Sequence, residues 1–393
     1  MAVTVGLLAL LILMGILEFR KHQRNLLSVP VRIHVNGTRG KSSVTRLIAA
    51  GMRAGGIRTL GKTTGTKPTL IFEDGSEAQI ARVGKANIVE YLMVFRRAVS
   101  HQAQAIVLEC MAVQPALQLL SEKKMVKSTI GVLTNVRADH LDEMGPTLEL
   151  VAKSLCNTVP ENGILFTTER NHLSDILEEG KRLNCKVVPV SSDGVTDQMI
   201  SGFTYIEHRD NVALALAVCQ HLGIDRGKAL EGMHKSSPDP GVLRIFRIDY
   251  YHKKIEFVNA FAANDPDSYS IILELLKPYK SPEKKLIILV NGRDDRIQRS
   301  EQLGELIAGL EADHFLLVGT YTTALANKAM SSGLSHHKIM DLGGYPPEDI
   351  FEKVLSLTPS QSLVIGIGNI VGLGEQMVTH FANRGREIVY RSS

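Results

Sequence analysis

The chain has 393 residues, a net charge of +4 and 44% hydrophobic residues, a balance typical of a globular protein with two or three domains. So small a net charge, without a cluster of basic and aromatic side chains, gives no basis for a nucleic-acid surface. The four cysteines are scattered without a C-x-x-C pair. They indicate reduced thiols and exclude a disulfide framework or a zinc site.

The N-terminal stretch "MAVTVGLLALLILMGIL" carries no charged side chain. As a helix it would span roughly 25 Å, at about 1.5 Å per residue, which is the short end of what crosses a bilayer. Arg20, Lys21 and Arg24 follow it and nothing basic precedes it, so we expect the N-terminus outside and the rest in the cytoplasm. The sequence predicts a single-pass anchor over 1–19 and a basic juxtamembrane linker over 20–30. A buried core helix or a peripheral anchor is the alternative.

Short runs rich in Val, Ile and Leu recur along the rest of the chain with little alternation, a pattern typical of parallel strands buried on both faces. Amphipathic segments separate many of them, as crossover helices do in α/β folds. We expect strands at 31–35, 105–110, 129–136, 163–168, 186–190, 285–290, 314–319 and 362–368. At 236–241, "SSPDPG" interrupts the pattern, and its prolines predict a domain boundary near residue 245.

The stretch "VNGTRGKSS" (35–43) joins a predicted strand to the start of a predicted amphipathic helix. The free N–H groups and the positive end of the dipole at such a helix N-terminus favour phosphate. Lys41 would then reach the terminal phosphates of a nucleotide, and Ser42 would hold Mg²⁺. The usual loop has a glycine where Val35 stands, so a chance glycine turn with an exposed lysine is the alternative.

Further motifs follow in the order expected of one family. They are "AIVLEC" (105–110), "TNVRADHLDEMG" (134–145), "HRDNVALALAVCQHLGI" (208–224), "GVLRI" (241–245) and "FAANDPDS" (261–268). Together with the loop they resemble the Mur ligases and folylpolyglutamate synthases, in which the loop is shorter. The resemblance implies an ATP-dependent ligase that forms amide bonds. It implies a P-loop, Mur-ligase-type ATP-binding domain over 31–245 and a smaller Rossmann-like ligase domain over 246–393.

The resemblance also implies roles for single residues. Nucleotide contacts would come from Asn36, Gly37, Thr38, Arg39, Gly40, Lys41, Ser42, Ser43, Asn211, Arg244 and Asp265. Divalent metal ions would be held by Ser42, Thr64, Glu109 and His140. The residues expected to act in catalysis are Lys41, Glu109, His140 and Arg244. Thr64 could instead belong to an ordinary turn that leaves a strand, and the roles of Asn264 and Asp265 stay open because the family has a histidine in that element.

A charged segment, "NGRDDR" (291–296), follows one of the later predicted strands. Ligands of open α/β sheets bind outside the carboxyl ends of the strands. We therefore expect Arg293, Asp294 and Arg296, together with Asn264, to contact an acidic substrate. A charged loop with internal ion pairs is the alternative.

The apolar N-terminus, "GKTTGT" (61–66), "ECMAVQP" (109–115), "DHLDEMGPTL" (139–148) and "NGRDDR" together resemble the ligase subunits of poly-γ-glutamate synthases, nearly end to end. That resemblance implies polymerisation of glutamate through an acyl phosphate, with ATP and Mg²⁺ or Mn²⁺, at the cytoplasmic face of the cell membrane. Its partners would be glutamate, the growing chain and small membrane subunits of a synthase and export complex, while a homo-oligomer is left open.

Two other functions compete with this interpretation. A membrane-anchored ATPase that energises a transporter would use the same loop, but "TNVRADHLD" and a separate second α/β domain favour a ligase. A folylpolyglutamate-type ligase would share both motifs, and the apolar N-terminus argues against it.

Overall fold

The computed structural model describes residues 2–65, 68–82, 86–238, 243–261, 269, 272–274, 276–292, 297–370 and 372–388. The chain forms two compact units. The first comprises Met1–Thr196 and His208–Asp239, and the second comprises Asp197–Glu207 and Pro240–Ser393. Each unit is built on a mostly parallel sheet with helices packed on it, which confirms the predicted α/β class.

Eight strands of the described chain form the sheet of the first unit, in the order β4-β3-β2-β5-β1-β6-β7-β8. The pairs β2–β3 and β3–β4 are antiparallel and the others are parallel. The strands are β1 (Val31–Asn36), β2 (Thr59–Thr63), β3 (Thr69–Ile71), β4 (Glu77–Gln79), β5 (Ala105–Glu109), β6 (Ile130–Leu133), β7 (Ile164–Thr167) and β8 (Lys186–Pro189).

The helices of the first unit pack mainly around this sheet. They are α1 (Ala2–Leu27), α2 (Lys41–Ala54), α3 (Glu90–Ser100), α4 (Pro115–Leu120), α5 (Leu141–Met144), α6 (Leu148–Cys156) and α7 (Leu173–Arg182), then, after α8 (Asp197–Ser201) of the second unit, α9 (Arg209–His221) and α10 (Arg226–His234). A π-helical turn, Ser121–Val126, continues α4. The apolar face of α2 is buried, and the helix ends at Ala54, directly before Gly55.

Helix α1 begins in the apolar N-terminal stretch and continues to Leu27, so most of the segment expected to be a linker is helical. Its apolar part is exposed, with Leu11 64% accessible. Near its other end, Leu26 is buried in a cluster with Tyr91 and Phe95 of α3. Among the described helices, α1 is the one long and apolar enough to cross a membrane.

The second unit contains a sheet in the order β13-β12-β11-β14-β10-β9-β15, in which β9 pairs antiparallel with β10 and β15. Its strands are β9 (Arg244–Tyr250), β10 (Lys253–Asn259), β11 (Lys284–Gly292), β12 (His314–Gly319), β13 (Ile339–Gly343), β14 (Gln361–Gly368) and β15 (Arg386–Ile388). Besides α8, the helices are α11 (Ile297–Ala308), α12 (Thr322–Ser331), α13 (Pro347–Leu357) and α14 (Leu373–Ala382). Apolar clusters cover the sheet.

All eight predicted strands are present, within a few residues of the expected bounds. The pattern missed β2–β4, the β9–β10 hairpin, β13 and β15, which are short or carry many charged side chains. The segment Asp197–Glu207, expected in the first domain, belongs to the second unit. Ile206 of this segment is buried among apolar side chains of that unit.

Candidate active site

The loop Gly37–Gly40 connects β1 to α2 and brings the backbone close to its neighbours. Gly40 has φ 82° and precedes the first residue of α2, a conformation that glycine adopts without strain. At Gly37, with φ 129°, an added Cβ would lie 2.0 Å from Thr134 Oγ1. Both glycines are therefore required by the path of the chain, which leads into the start of α2, where the N–H groups of a first helical turn favour an anion.

The loop is clamped by the residues that follow β6. Thr38 donates its backbone N–H to Asn135 O at 3.0 Å and its hydroxyl to Asn135 Oδ1 at 2.7 Å. The carbonyl of Arg39 accepts from Thr134 Oγ1 at 2.6 Å and from Asn135 Nδ2 at 3.1 Å. The motif "TNVRADHLD" thus holds the loop through its first two residues.

Lys41 lies across this loop. Its Nζ donates to the carbonyl of Gly37 at 2.6 Å and to that of Thr38 at 3.1 Å. The ammonium group therefore sits over the loop carbonyls at the start of α2, where a lysine can reach the outer phosphates of a nucleotide.

Two residues that are distant in the sequence, Ser42 and Thr64, converge on one carboxylate. Oε2 of Glu109, at the end of β5, accepts from Ser42 Oγ at 2.9 Å and from the backbone N–H of Thr64 at 2.6 Å. Glu109 is 3% exposed. The structure thus brings together Ser42, Thr64 and Glu109, three of the four predicted metal ligands.

Behind this carboxylate lies a charged cluster that the sequence did not indicate. Lys62 on β2 is fully buried; its Nζ donates to Thr64 Oγ1 and lies 3.5 Å from Glu90 Oε2. Arg82 holds Glu90 with two hydrogen bonds, of 2.6 and 2.9 Å. Burial lowers the pKa of Lys62 to about 8, although Glu90 and Glu109 oppose the shift. Lys62 thereby positions the hydroxyl of Thr64.

A second buried chain of polar groups supports the end of β5. The hydroxyl of Tyr91 donates to the carbonyl of Glu109 at 3.1 Å and lies 3.3 Å from His34 Nε2. His34 Nδ1 contacts Glu122 Oε2 at 2.8 Å. Burial acts to lower the pKa of His34, but Cys110 and the Glu122 carboxylate raise it to about 9. Cys110 and Glu122 thus favour the protonated form of the His34 imidazole.

His140 is linked to the loop through a carboxylate. It has φ 50° and precedes α5, and its Nε2 lies 3.8 Å from Asp139 Oδ1. The other oxygen of Asp139 faces Arg39 Nη2 at 3.5 Å. His140 is thus held near the loop, and its role as a ligand of a second metal ion stays a prediction.

The other residues predicted to contact the nucleotide lie in different surroundings. Asn36 donates to Gln118 Oε1 and Thr158 Oγ1, both at 3.0 Å, and is 2% exposed. Its side chain therefore anchors the strand inside the domain, away from any nucleotide. Ser43 lies half-buried in the first turn of α2. Asn211 of α9 faces the loop, because a Cβ on Gly40 would lie 2.6 Å from Asn211 Oδ1.

Arg244 belongs to the second unit, where it begins β9 and lies 3.6 Å from Glu387. Its expected contact with phosphates stays a prediction. Five further predicted site residues lie outside the described ranges; they are Asn264, Asp265, Arg293, Asp294 and Arg296.

The donor set around Glu109 fits a hard divalent cation. In the part of the chain that the structure describes, no three His, Cys, Asp or Glu side chains form a metal cluster. Mg²⁺ does not need one, since it commonly takes one or two carboxylates and completes its shell with water and substrate phosphates. Glu109 and Ser42 offer such oxygen atoms beside the phosphate-binding loop, and Thr64 carries a hydroxyl that accepts from Lys62.

Comparison with known proteins places this site in a family. The chain is 37% identical over 373 residues to PGA synthase CapB of Bacillus subtilis, covering 94% of this chain and 95% of that protein. It is 36% identical over 371 residues to the capsule biosynthesis protein CapB of Bacillus anthracis, covering 94% and 80%. The chain belongs to the CapB poly-γ-glutamate synthase family. The family of the CapB C-terminal domain matches residues 245–384, and that of the Mur ligase middle domain matches residues 35–229.

Solved structures of a folylpolyglutamate synthase and of MurF share the fold of this CapB-family chain. A bifunctional folylpolyglutamate synthase/dihydrofolate synthase from Yersinia pestis superimposes with a TM-score of 0.68 at 14% identity, covering 92% of each chain. MurF from Acinetobacter baumannii gives a TM-score of 0.65 at 14% identity, covering 93% of this chain and 79% of MurF. The resemblance predicted from the motifs is confirmed, and with it the class of ATP-dependent, amide-bond-forming ligases.

Proposed function

We propose that this protein polymerises glutamate into poly-γ-glutamate, with cleavage of ATP to ADP and phosphate. The observation that carries the proposal is the convergence of Ser42 and Thr64 on Glu109, directly beside the loop that Lys41 crosses. Two relatives that cover nearly the whole chain support the choice of substrate, since one is named a PGA synthase and the other a capsule biosynthesis protein.

The reaction divides into two displacements. A γ-carboxylate oxygen of the growing chain attacks the γ-phosphorus of ATP, and ADP leaves with the bond electrons. The amine of free glutamate then attacks the resulting acyl phosphate at its carbonyl carbon. Phosphate leaves, the amine loses a proton, and one amide bond has formed. Both steps concentrate negative charge around the transferred phosphoryl group, so they need cationic partners.

The loop and its neighbours are suited to this charge. The free N–H groups at the start of α2 and the ammonium of Lys41 would face the phosphates. A divalent cation at Glu109, Ser42 and Thr64 would offset phosphate charge. Glu109 would hold the cation, and Lys62 would keep Thr64 turned towards it. His140 would complete the set in the first unit, as predicted from the motifs, and the phosphate contact of Arg244 stays a prediction.

We propose Mg²⁺ as the metal, with Mn²⁺ as a substitute. The folylpolyglutamate synthase from Yersinia pestis was crystallised with AMPPNP and Mn, which supports a nucleotide with a divalent cation in this fold. Oxygen donors without thiolates suit either of these ions.

We propose that α1 anchors the protein in the cell membrane, with residues 1–19 as the span and the rest of both compact units in the cytoplasm. Its exposed apolar surface and the basic residues that follow support this orientation. A polymer made at the cytoplasmic face would leave through other, small membrane subunits, because one helix cannot enclose a channel.

The test is an assay of phosphate release by the full-length, detergent-solubilised protein with ATP and Mg²⁺. Glutamate and a short γ-linked oligomer are added or left out, and the products are weighed by mass spectrometry. We expect release that depends on both substrates, and oligomers longer by one glutamyl unit. ATP hydrolysis that is indifferent to glutamate would contradict the proposal and favour a transport ATPase. Lys41→Ala should abolish turnover, whereas Lys181→Ala, at an exposed position on α7, serves as the matched control.

A further inference from the structure

Helix α4 exposes three leucines although it is only six residues long. Leu117, Leu119 and Leu120 are 39%, 37% and 43% accessible, and Gln118 is the buried residue of this helix. The π-helical turn that follows exposes Lys123 and Lys124. An exposed apolar patch that adjoins cations is typical of a surface that binds a partner or a lipid layer.

The segment Pro115–Val126 is hydrogen-bonded to the basic end of α1. Gln23 donates its side-chain amide to the carbonyl of Lys124 at 3.0 Å, and His22 Nε2 lies 2.9 Å from the carbonyl of Met125. Arg32 links the carbonyls of Lys127 and Val29, each at 2.8 Å.

These contacts fix the direction of the segment. Lys127 shares Arg32 with the carbonyl of Val29, which follows α1, whereas Lys124, three residues earlier, accepts from Gln23 within α1. The exposed leucines come still earlier in the chain. They therefore extend towards the apolar end of α1.

We propose that Pro115–Val126 is a membrane-contact surface that lies in the anionic headgroup layer beside the anchor. The proposal rests on the proposed membrane location of α1. Leu117, Leu119 and Leu120 would enter the boundary between headgroups and acyl chains, while Lys123 and Lys124 bind acidic lipid headgroups.

The position along α1 suits this contact. Gln23 comes six residues after Leu17, the last residue of the apolar stretch, which is about 9 Å along a helix. The headgroup layer is roughly 5–8 Å thick on each side of the bilayer. Lys124 is thus held near the outer edge of that layer.

The basic side chains around this surface favour an anionic lipid layer over an apolar protein as the binding partner. Arg20, Lys21 and Arg24 on α1 accompany Lys123 and Lys124, and each cation near an anionic leaflet adds to the attraction. The same segment reaches the active site, because Gln118 accepts from Asn36 at the end of β1. Contact with the membrane would therefore orient the phosphate-binding loop relative to the bilayer.

The test uses the absence of tryptophan from the chain. Leu120→Trp in the full-length protein, reconstituted into vesicles of phosphatidylcholine and phosphatidylglycerol, gives one reporter on α4. Leu177→Trp on α7 is the matched control, since Leu177 is 38% accessible, and Leu11→Trp reports on the anchor. Emission is compared between ordinary vesicles and vesicles with brominated acyl chains, after each variant has been shown to retain ATP turnover.

We expect bromine to quench Leu120→Trp at least about two-fold, as for a side chain at the interface, and to leave Leu177→Trp unchanged. Adding Lys123→Glu and Lys124→Glu should weaken the quenching of Leu120→Trp. If Leu120→Trp behaves like Leu177→Trp while Leu11→Trp is quenched, the surface does not touch lipid and the inference is wrong. If Leu11→Trp is not quenched either, the proposed anchor itself fails.

Discussion

Ser42 and Glu109 meet although they are 67 positions apart in the sequence, the serine hydroxyl donating to Glu109 Oε2 at 2.9 Å. The contact exists because β1 and β5 are parallel neighbours, with Val35 opposite Glu109. The carboxyl ends of both strands therefore lie at the same edge of the sheet. This edge combines a phosphate-binding loop with a carboxylate for a metal ion.

Glu109→Gln should remove the metal site while keeping the shape of the side chain. The amide can still accept the N–H of Thr64, but it has lost the negative charge that attracts a divalent cation. We expect turnover to fall at least about 100-fold and the Mg²⁺ requirement to rise. Turnover is measured against Mg²⁺ concentration, with Glu178→Gln on the exposed face of α7 as the control. Turnover within two-fold of the unmodified protein would exclude Glu109 from metal binding.

Lys62→Met should lower the turnover without lowering the stability of the protein. Burial of the Lys62 ammonium costs its hydration free energy, and the substitution removes this cost. Glu90 keeps its two hydrogen bonds with Arg82 in the variant. The free energy of unfolding should stay the same or rise by about 1–3 kcal/mol. Turnover should fall about 10-fold or more, because Thr64 loses the group that positions it.

Urea unfolding and phosphate release measure the two effects of Lys62→Met. Lys181→Met, at an exposed position on α7, should change neither. A variant that is destabilised and fully active would show that Lys62 serves only the fold.

The pair His34–Glu122 should make stability depend on pH. The pKa of His34 is raised from 6.5 to about 9 in the folded protein, so the folded state holds its proton more tightly than the unfolded state. The stabilisation is complete below about pH 6.5 and is lost as pH rises through about 9. It amounts to at most about 3 kcal/mol. His34→Gln should flatten this part of the profile.

The measurement is urea unfolding of both proteins at pH 6.5 and pH 9 in the same detergent. Because other groups titrate in this range, the difference between the two proteins is the informative quantity. Equal changes in the two proteins would show that His34 does not carry the proton.

Gly40→Ala and Gly56→Ala form a matched pair of variants. The two glycines have nearly equal φ values, 82° and 85°, but only Gly40 has a neighbour, Asn211 Oδ1, at 2.6 Å from an added Cβ. Both variants should lose about 1 kcal/mol from backbone strain. Gly40→Ala alone should also lose nucleotide binding, measured by calorimetry with a non-hydrolysable ATP analogue. Equal binding by the two variants would contradict the role of the loop.

Much of this site could be predicted from the sequence because its signals are local. A buried apolar strand, a glycine turn and a helix start are contiguous around Lys41. Glu109 was predicted through the resemblance of "AIVLEC" to the family. The order of the motifs then carried the family resemblance across both domains.

The cluster around Lys62 could not be found in this way. A lysine between glycine and threonine reads as a turn, and its burial depends on Glu90 and Arg82, which come from elsewhere in the fold. The buried side chain of Asn36 is a similar case, since Gln118 and Thr158 reach it only through tertiary packing. The β9–β10 hairpin was missed because charged and aromatic residues at its turn obscure the strand pattern.

The most direct test of the central claim follows oxygen from the substrate to phosphate. The full-length protein is supplied with ATP, Mg²⁺, glutamate and a γ-linked oligomer whose carboxylates carry ¹⁸O. An amide ligase that forms an acyl phosphate must transfer one ¹⁸O atom to each phosphate released, with one glutamyl unit added to the oligomer. Phosphate without ¹⁸O, released with no longer oligomer, would mean that water attacks ATP and that the protein is an ATPase of another kind.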